Sequence, residues 1–293
     1  NKLYGRGTAD MKSFVACALH AASKASSMNL RTPLHFSFSY DEEIGCVGVR
    51  SLIEMLKNSS TNPLFCIVGE PTSMQVMSGH KGKVNASVLI KGKEAHSALT
   101  TKGLNSIYLA TEFIQGIQNI QTNLINNSTH DNDFEVPYTT LQVGKIEGGV
   151  AVNIVPSSSS LLFEIRSLHS DDPNLILNDI KNLSEKIVKS HIDKFPNTKI
   201  EINVTSQYPA LNTMKNSDVI SFLNGLTGNN SVEKVSFGTE GGLFSNELNI
   251  ETAICGPGSM NQGHKPNEYI EKAQIDLCDQ MLENLLNKLE KGL

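Results

Sequence analysis

The order in which strand-like and helix-like stretches follow one another limits this chain more than any single motif does. Between residues 83 and 206, six patterned segments run strand, helix, strand, strand, helix, strand: "KVNASVLIKG", "NSIYLATEFIQGI", "TTLQVGKI", "SSLLFEIR", "PNLILNDIKNLSEKIVKS" and "TKIEINVTS". Apolar residues alternate in the strand segments and recur every three or four positions in the helical ones. That order is the one a small ferredoxin-like domain requires. On either side the texture differs. Residues 11 to 28 are Ala-rich and helical, "PLHFSFSY" alternates as a strand ending at Asp41, "GVRSLIEML" resumes helical spacing, and "LFCIVG" reads as a short buried strand. After Pro209 come a helix near Asp218, the short strand "ETAIC" and a long amphipathic helix from Glu271. Strand and helix in alternation imply a mostly parallel sheet covered by helices. The fold expected is therefore α/β, with a larger domain made of residues 1–76 and 209–293 and an inserted domain at 77–208. The polar, Asn-rich stretch "QTNLINNSTHDNDFEVPY" is expected to be a long loop of the insert.

A chain of 293 residues with 39% hydrophobic content can fill one large core or two smaller ones. A formal charge of -5 with no basic stripe argues against nucleic acid as a partner. No apolar run approaches the roughly 18–20 residues that span a bilayer, so no membrane partner is expected. The cysteines, Cys17, Cys46, Cys66, Cys255 and Cys278, are odd in number and lack C-x-x-C spacing, which speaks against disulfides or a thiolate zinc site and favours a reducing cytoplasm.

The chemistry lies where strands end. In such sheets ligands collect beyond the carboxyl ends of the strands. "SFSY" runs into Asp41, Glu42 and Glu43, "FCIVG" into Glu70, and "TAIC" into the loop "GPGSMNQGHKPNE" with His264, while the Gly-rich opening turn carries Asp10. So many carboxylates on one rim repel one another unless a cation sits among them. One imidazole among oxygens suits zinc, cobalt or manganese. Glu42 and Glu43 are adjacent and leave the strand in different directions, so one can hold metal while the other holds water. A carboxylate beside a cation-activated water, whose pKa falls from about 15.7 toward about 7, is placed to act as general base. These are the parts of a metal-dependent hydrolase. Each residue also has a plainer reading: Asp10 as a helix N-cap, Glu42 and Glu43 as solvated helix-start acids, Glu70 as a turn residue, His264 and His96 as surface or interface histidines, Arg166 as the partner of a neighbouring acid. His20, His35, His80, His130 and the cysteines are given no functional role.

Eight strings in order, "LYGRGTADMK", "SYDEEIGCVGVR", "VGEPT", "HKGK", "GKEAHSA", "VPYTTLQVGKIEGG", "VNIVP" and "GPGSMNQGHKPNEYIE", resemble the family of co-catalytic zinc aminoacylases and carboxypeptidases, from the first residue to about Glu271. The resemblance implies a zinc-peptidase-like catalytic domain whose inserted ferredoxin-like lid forms a homodimer. It implies that a complete chain holds two zinc ions, with cobalt a possible substitute, and that the substrate is a small acylated amino acid. Asp10 would bridge the two ions, Glu43 and His264 would bind one and Glu70 the other, and Glu42 would be the general base. His96 would reach the partner subunit's site and stabilise the oxyanion. Asn153 and Arg166 would hold the substrate carboxylate, and Gly238, Thr239 and Glu240 would line the substrate loop, with Glu240 meeting an amine. The family's remaining ligand comes from an upstream H-x-D. The strings "HSD" at His169 and "HID" at His191 fall inside the insert and are expected to be decoys. Residue 1 is therefore expected to follow a missing segment, leaving at most one well-formed metal site and little turnover. Relatives acting on other acyl amino acids or on dipeptides would share these metal residues. A noncatalytic metal-binding dimerisation module and a purely structural protein remain open beside them.

Overall fold

The computed structural model describes residues 1–293. In chain order, β1 (Lys2–Tyr4), α1 (Ser13–Ala25), α2 (Val49–Lys57), β2 (Phe65–Val68) and β3 (Val76–His80) come first. Then follow β4 (Gly82–Lys91), β5 (Ala95–His96), α3 (Ser106–Asn127), β6 (Thr140–Gly148), β7 (Ile154–Val155), β8 (Ser158–Ser167), α4 (Pro173–Lys189) and β9 (Lys199–Tyr208). The last group is β10 (Leu211–Asn212), α5 (Asp218–Thr227), β11 (Val232–Val235), α6 (Gly241–Leu248), β12 (Glu251–Ile254), β13 (Tyr269–Glu271) and α7 (Lys272–Lys291). Asn1–His80 and Leu211–Leu293 form one compact unit and Lys81–Ala210 the other. The second unit begins four residues later than the 77–208 expected from the sequence, because β3 pairs with β10, β11 and β12 of the first unit.

In the first unit, β2 and β12 run parallel from Phe65 opposite Glu251 to Val68 opposite Ile254. β11 runs parallel to β3, and β3 meets both β10 and β12 antiparallel, so the sheet is mixed. Cys278, Met281, Leu282, Leu285, Leu286 and Leu289 repeat at three- and four-residue steps along α7 and face a core that Cys17, Ala21, Val76, Leu223 and Ala253 share. The expected strand "PLHFSFSY" is not one. Leu34 and Phe36 do pack toward this core, but residues 33–40 enter no strand ladder. Side-chain alternation selects a face; only a neighbouring strand supplies the hydrogen bonds.

The second unit carries the antiparallel order β6-β8-β4-β9 that the ferredoxin-like pattern requires. Val84, Ala86, Val88 and Ile90 of β4 and Leu161, Phe163 and Ile165 of β8 point to one face, which α3 and α4 cover with Leu109, Phe113, Ile117, Ile176, Ile180 and Ile187. Asn105 caps α3 by accepting from the backbone N–H of Ile107 and Tyr108, and Asp172 caps α4 through Asn174, with Pro173 at the first helical position. Phe113 is fully buried, and its truncation to Ala would cost about 3–5 kcal/mol. The first seven residues expected in the long loop are helical instead: α3 runs on to Asn127 because Ile120 and Leu124 continue its apolar stripe. No helix is long and apolar enough to cross a membrane.

Candidate metal centre

β1 and β13 pair antiparallel and hold the Gly-rich turn at the first unit's edge. Gly7 turns the chain at φ +80, a conformation open mainly to glycine, and a single irregular turn, Thr8–Lys12, follows. Asp10 lies within it at φ -121, ψ 93, outside helical geometry. It is not the N-cap of α1, which starts at Ser13 and has no side-chain cap. Its carboxylate is directed elsewhere.

Asp10 Oδ2 lies 3.0 Å from His264 Nε2, and Glu43 Oε2 lies 3.0 Å from the same nitrogen. One ligand atom from each of the three side chains lies within 4.8 Å of the others. Two bonds of about 2.0–2.2 Å to one zinc ion set ligand atoms roughly 3–4 Å apart, so two carboxylate oxygens and one imidazole nitrogen at this spacing fit a single divalent ion. Asp10 is mostly covered whereas Glu43 and His264 are more than half exposed, so the site opens to solvent on one side. His264 takes φ +55, a conformation uncommon for a residue with a Cβ and one that clusters at functional sites.

The sheet brings the loops beyond β2 and β12 together. Thr72 N and Met74 N donate to Gly256 O, Ser73 N donates to Gly258 O, and Gly256 N donates to the Thr72 hydroxyl. A Cβ at Gly256 would stand 2.2 Å from Gly69 O, so only glycine allows this approach. Glu70 is buried in it and shares a side-chain hydrogen bond with Asp10. Burial, followed by the charges of Asp10, Glu42 and Glu240, holds the Glu70 carboxyl well above the usual range. Asp10 is raised as well, by burial and then by Glu43, while His264 opposes the rise.

Glu42 and Glu43 diverge. Glu43 meets His264; Glu42 turns inward, where the Cys46 thiol donates to its Oε1 at 3.4 Å. Burial first, then Glu240, Glu43 and Asp10 against the Cys46 hydrogen bond, push the Glu42 carboxyl up to about 7. Glu240 stands just ahead of α6, with its Oε2 accepting from the Ser39 hydroxyl at 2.8 Å and its Oε1 buried without a hydrogen-bond partner. Burial raises it too, relieved in part by Ser39. Thr239 is fully buried and its hydroxyl accepts from Gly241 N, which shapes the Gly238–Gly242 turn. Four carboxyls raised together are the electrostatic signature of a cluster that a cation would relieve.

The other expected residues lie in the second unit. His96 is exposed at the end of β5; its Nδ1 accepts from Ala98 N, which leaves the ring proton of the neutral form on Nε2. Asn153 is exposed beside β7. Arg166 is engaged by Glu164, with Nε donating to Oε1 at 2.8 Å and Nη2 to Oε2 at 3.1 Å, and its Nη1 reaches the Tyr208 hydroxyl. His169 follows β8 and His191 follows α4; neither belongs to the converging group.

The sequence reading passed over three contributors. Ser39 and Cys46 hold Glu240 and Glu42, and neither residue type marks itself in a sequence. His80, given no role, is fully buried on β3, and its Nε2 accepts from Gly242 N at 3.1 Å, anchoring the start of α6 behind Glu240.

Among known proteins, residues 1–288 match peptidase family M20/M25/M40. The chain is 32% identical to the acetylornithine deacetylase of Myxococcus xanthus over 281 residues, 96% of this chain and 71% of that protein. It is 32% identical to the acetylornithine deacetylase of Pasteurella multocida over 291 residues, 99% and 73% of the two chains. Of solved structures, the dipeptidase Dug1p of Saccharomyces cerevisiae is similar with a TM-score of 0.74 at 13% identity, covering 99% of this chain and 73% of that one, a likeness of fold.

Proposed function

Because this chain belongs to peptidase family M20/M25/M40, a family of metallohydrolases, we propose that it hydrolyses the amide of a small acylated amino acid, with N-acetylornithine, cleaved to ornithine and acetate in arginine biosynthesis, as the first candidate. The observation that carries the reading is the meeting of Asp10, Glu43 and His264 with Glu42 alongside.

Asp10, Glu43 and His264 would hold zinc, with cobalt as a substitute, and Asp10 together with Glu70 would contribute to a second position. The ion's contribution is to polarise the carbonyl and acidify water. Glu42, which turns inward beside the three converging ligands, takes the attacking water's proton and returns it to the leaving amine; a cation alongside favours its ionised form, the form a base requires. His96, with its proton on Nε2, donates to the oxyanion from the insert of a second copy of the chain in a homodimer. Asn153 and Arg166 take the substrate carboxylate, and Arg166 shares its guanidinium with Glu164 as it does so. Gly238, Thr239 and Glu240 line the substrate loop of the first unit, with the unpartnered Oε1 of Glu240 receiving the ornithine ammonium.

Initial rates on N-acetylornithine, N-succinyl-diaminopimelate, N-acetylcitrulline and a dipeptide, in zinc- or cobalt-containing buffer, test the reading. Fastest cleavage of N-acetylornithine supports it; a preference for another of the four reassigns the substrate within the family. Tight metal binding without cleavage of any, even in a chain extended upstream by a segment carrying the family's H-x-D, would leave the noncatalytic metal-binding dimerisation module.

A further inference from the structure

Glu268 is the buried carboxylate with the most extensive set of partners, and no step of the proposed chemistry uses it. It is 4% exposed. Its Oε2 accepts from Gly7 N at 2.8 Å, and its Oε1 accepts from Ala9 N at 2.8 Å and Asp10 N at 3.1 Å. Its backbone carbonyl accepts from Gly5 N at 3.0 Å, and Arg6 Nη1 lies 3.6 Å from Oε2. Burial by itself would raise this carboxyl, but the three backbone N–H groups and Arg6 outweigh it and hold the group below its ordinary range.

The β1–β13 ladder does not need this side chain. It is complete from Lys2 opposite Glu271 to Tyr4 opposite Tyr269, and the next bond is made by the Glu268 backbone. The side chain reaches past the ladder to a segment that cannot hold itself. Asp10 and Met11 depart from helical geometry, so the N–H groups of Gly7, Ala9 and Asp10 have no regular ladder to enter and converge instead on one anion.

We propose that Glu268 is a positioning residue for the metal centre: its carboxylate gathers the N–H groups of Gly7, Ala9 and Asp10 and so sets the direction in which Asp10 presents its carboxylate to His264. Glu268 also stands immediately before β13, four residues after His264, so one residue ties the two ligand-bearing segments to each other. The inference rests on Asp10 being a metal ligand. In Glu268→Gln an NH2 group replaces one acceptor oxygen, and either the Gly7 bond or the Ala9 and Asp10 bonds are lost.

The test titrates zinc into the metal-free chain and records the visible spectrum of the cobalt form for the parent, Glu268→Gln, Asp10→Ala and Glu271→Gln, an exposed neighbour on β13. Folded Glu268→Gln is expected to bind zinc about 10–100-fold more weakly, the usual scale for residues that orient a ligand, with a changed cobalt spectrum. Glu271→Gln is expected to match the parent. Zinc affinity within about twofold of the parent in Glu268→Gln, with the same cobalt spectrum, overturns the inference even if the melting temperature falls, since that pattern marks a structural staple alone. Should Glu268→Gln not fold, Glu268→Asp, which keeps the charge and shortens the reach, is read by the same two outcomes. Parent-like metal binding by Asp10→Ala would instead remove the ligand assignment itself, so the two failures are told apart.

Discussion

Replacing Glu42 with Gln sets the chemistry of the site against the stability of the fold. In the metal-free chain the Glu42 carboxyl is pushed from its ordinary 4.5 to about 7, by burial first and then by Glu240, Glu43 and Asp10, with Cys46 opposing. A carboxyl raised on folding binds its proton more tightly in the folded state. Its contribution to stability is therefore intact below pH 4.5 and is lost as pH rises through about 7. At about 1.36 kcal/mol per pH unit, the gap between those values amounts to about 3 kcal/mol at the most. Glu42 is only partly buried, so solvent screening reduces the effect to about 1–3 kcal/mol at pH near 8. Gln has the same shape, accepts from the Cys46 thiol and carries no charge. Glu42→Gln is thus expected to melt with the parent near pH 4.5 and above it near pH 8, by roughly 2–4 °C for each kcal/mol. Calorimetric melting of the EDTA-treated proteins at the two pH values measures this, and added zinc should narrow the gap because a neighbouring cation favours the ionised carboxyl. Equal melting near pH 8, or a variant less stable than the parent there, would refute the idea that the ionised Glu42 strains the metal-free fold.

Zinc titration of this chain should show about one tight ion, lost in His264→Ala, and an ion at a thousand times its Kd should add about 4 kcal/mol of stability; two tight ions per chain would contradict the single converging group. If the chain turns over, Glu42→Gln should keep its metal and lose about two to four orders of magnitude in turnover number, and an unchanged turnover number would remove the general-base role. Glu240→Gln should raise KM about 10–100-fold for an acylated amino acid with a cationic side chain, the scale of a charged hydrogen bond of about 1.5–3 kcal/mol, and leave an uncharged analogue unaffected. Equal changes for both substrates would show that Glu240 does not read the ammonium.

The inserted pattern is legible because each of its elements carries its own periodicity. Val84 to Ile90 alternate, and Leu109, Phe113 and Ile117 keep to one helical face, whether or not neighbours are known. Residues 33–40 fail by the same logic, since Leu34 and Phe36 announce a face and say nothing about whether another strand lies beside them. In the site, Asp10 and His264 are readable as an acid and an imidazole in Gly-rich turns, and Glu43 as one of two adjacent acids. Arg166 is less so: a sequence shows a cation but not that Glu164, two residues away on the same face of β8, already occupies it.

Residue type and periodicity by themselves determined the α/β class and the strand and helix order of the insert, and they singled out the acids and the histidine as candidates. Only the tertiary structure decided which oxygens share a nitrogen, that Glu42 turns in while Glu43 turns out, and that Glu268 is enclosed by backbone N–H groups whereas Glu271, three residues on, faces solvent. The reason is physical: periodicity is set by local backbone geometry, whereas the environment of a charge depends on groups hundreds of residues away, as Gly7 is from Glu268, and these meet only when the chain is folded.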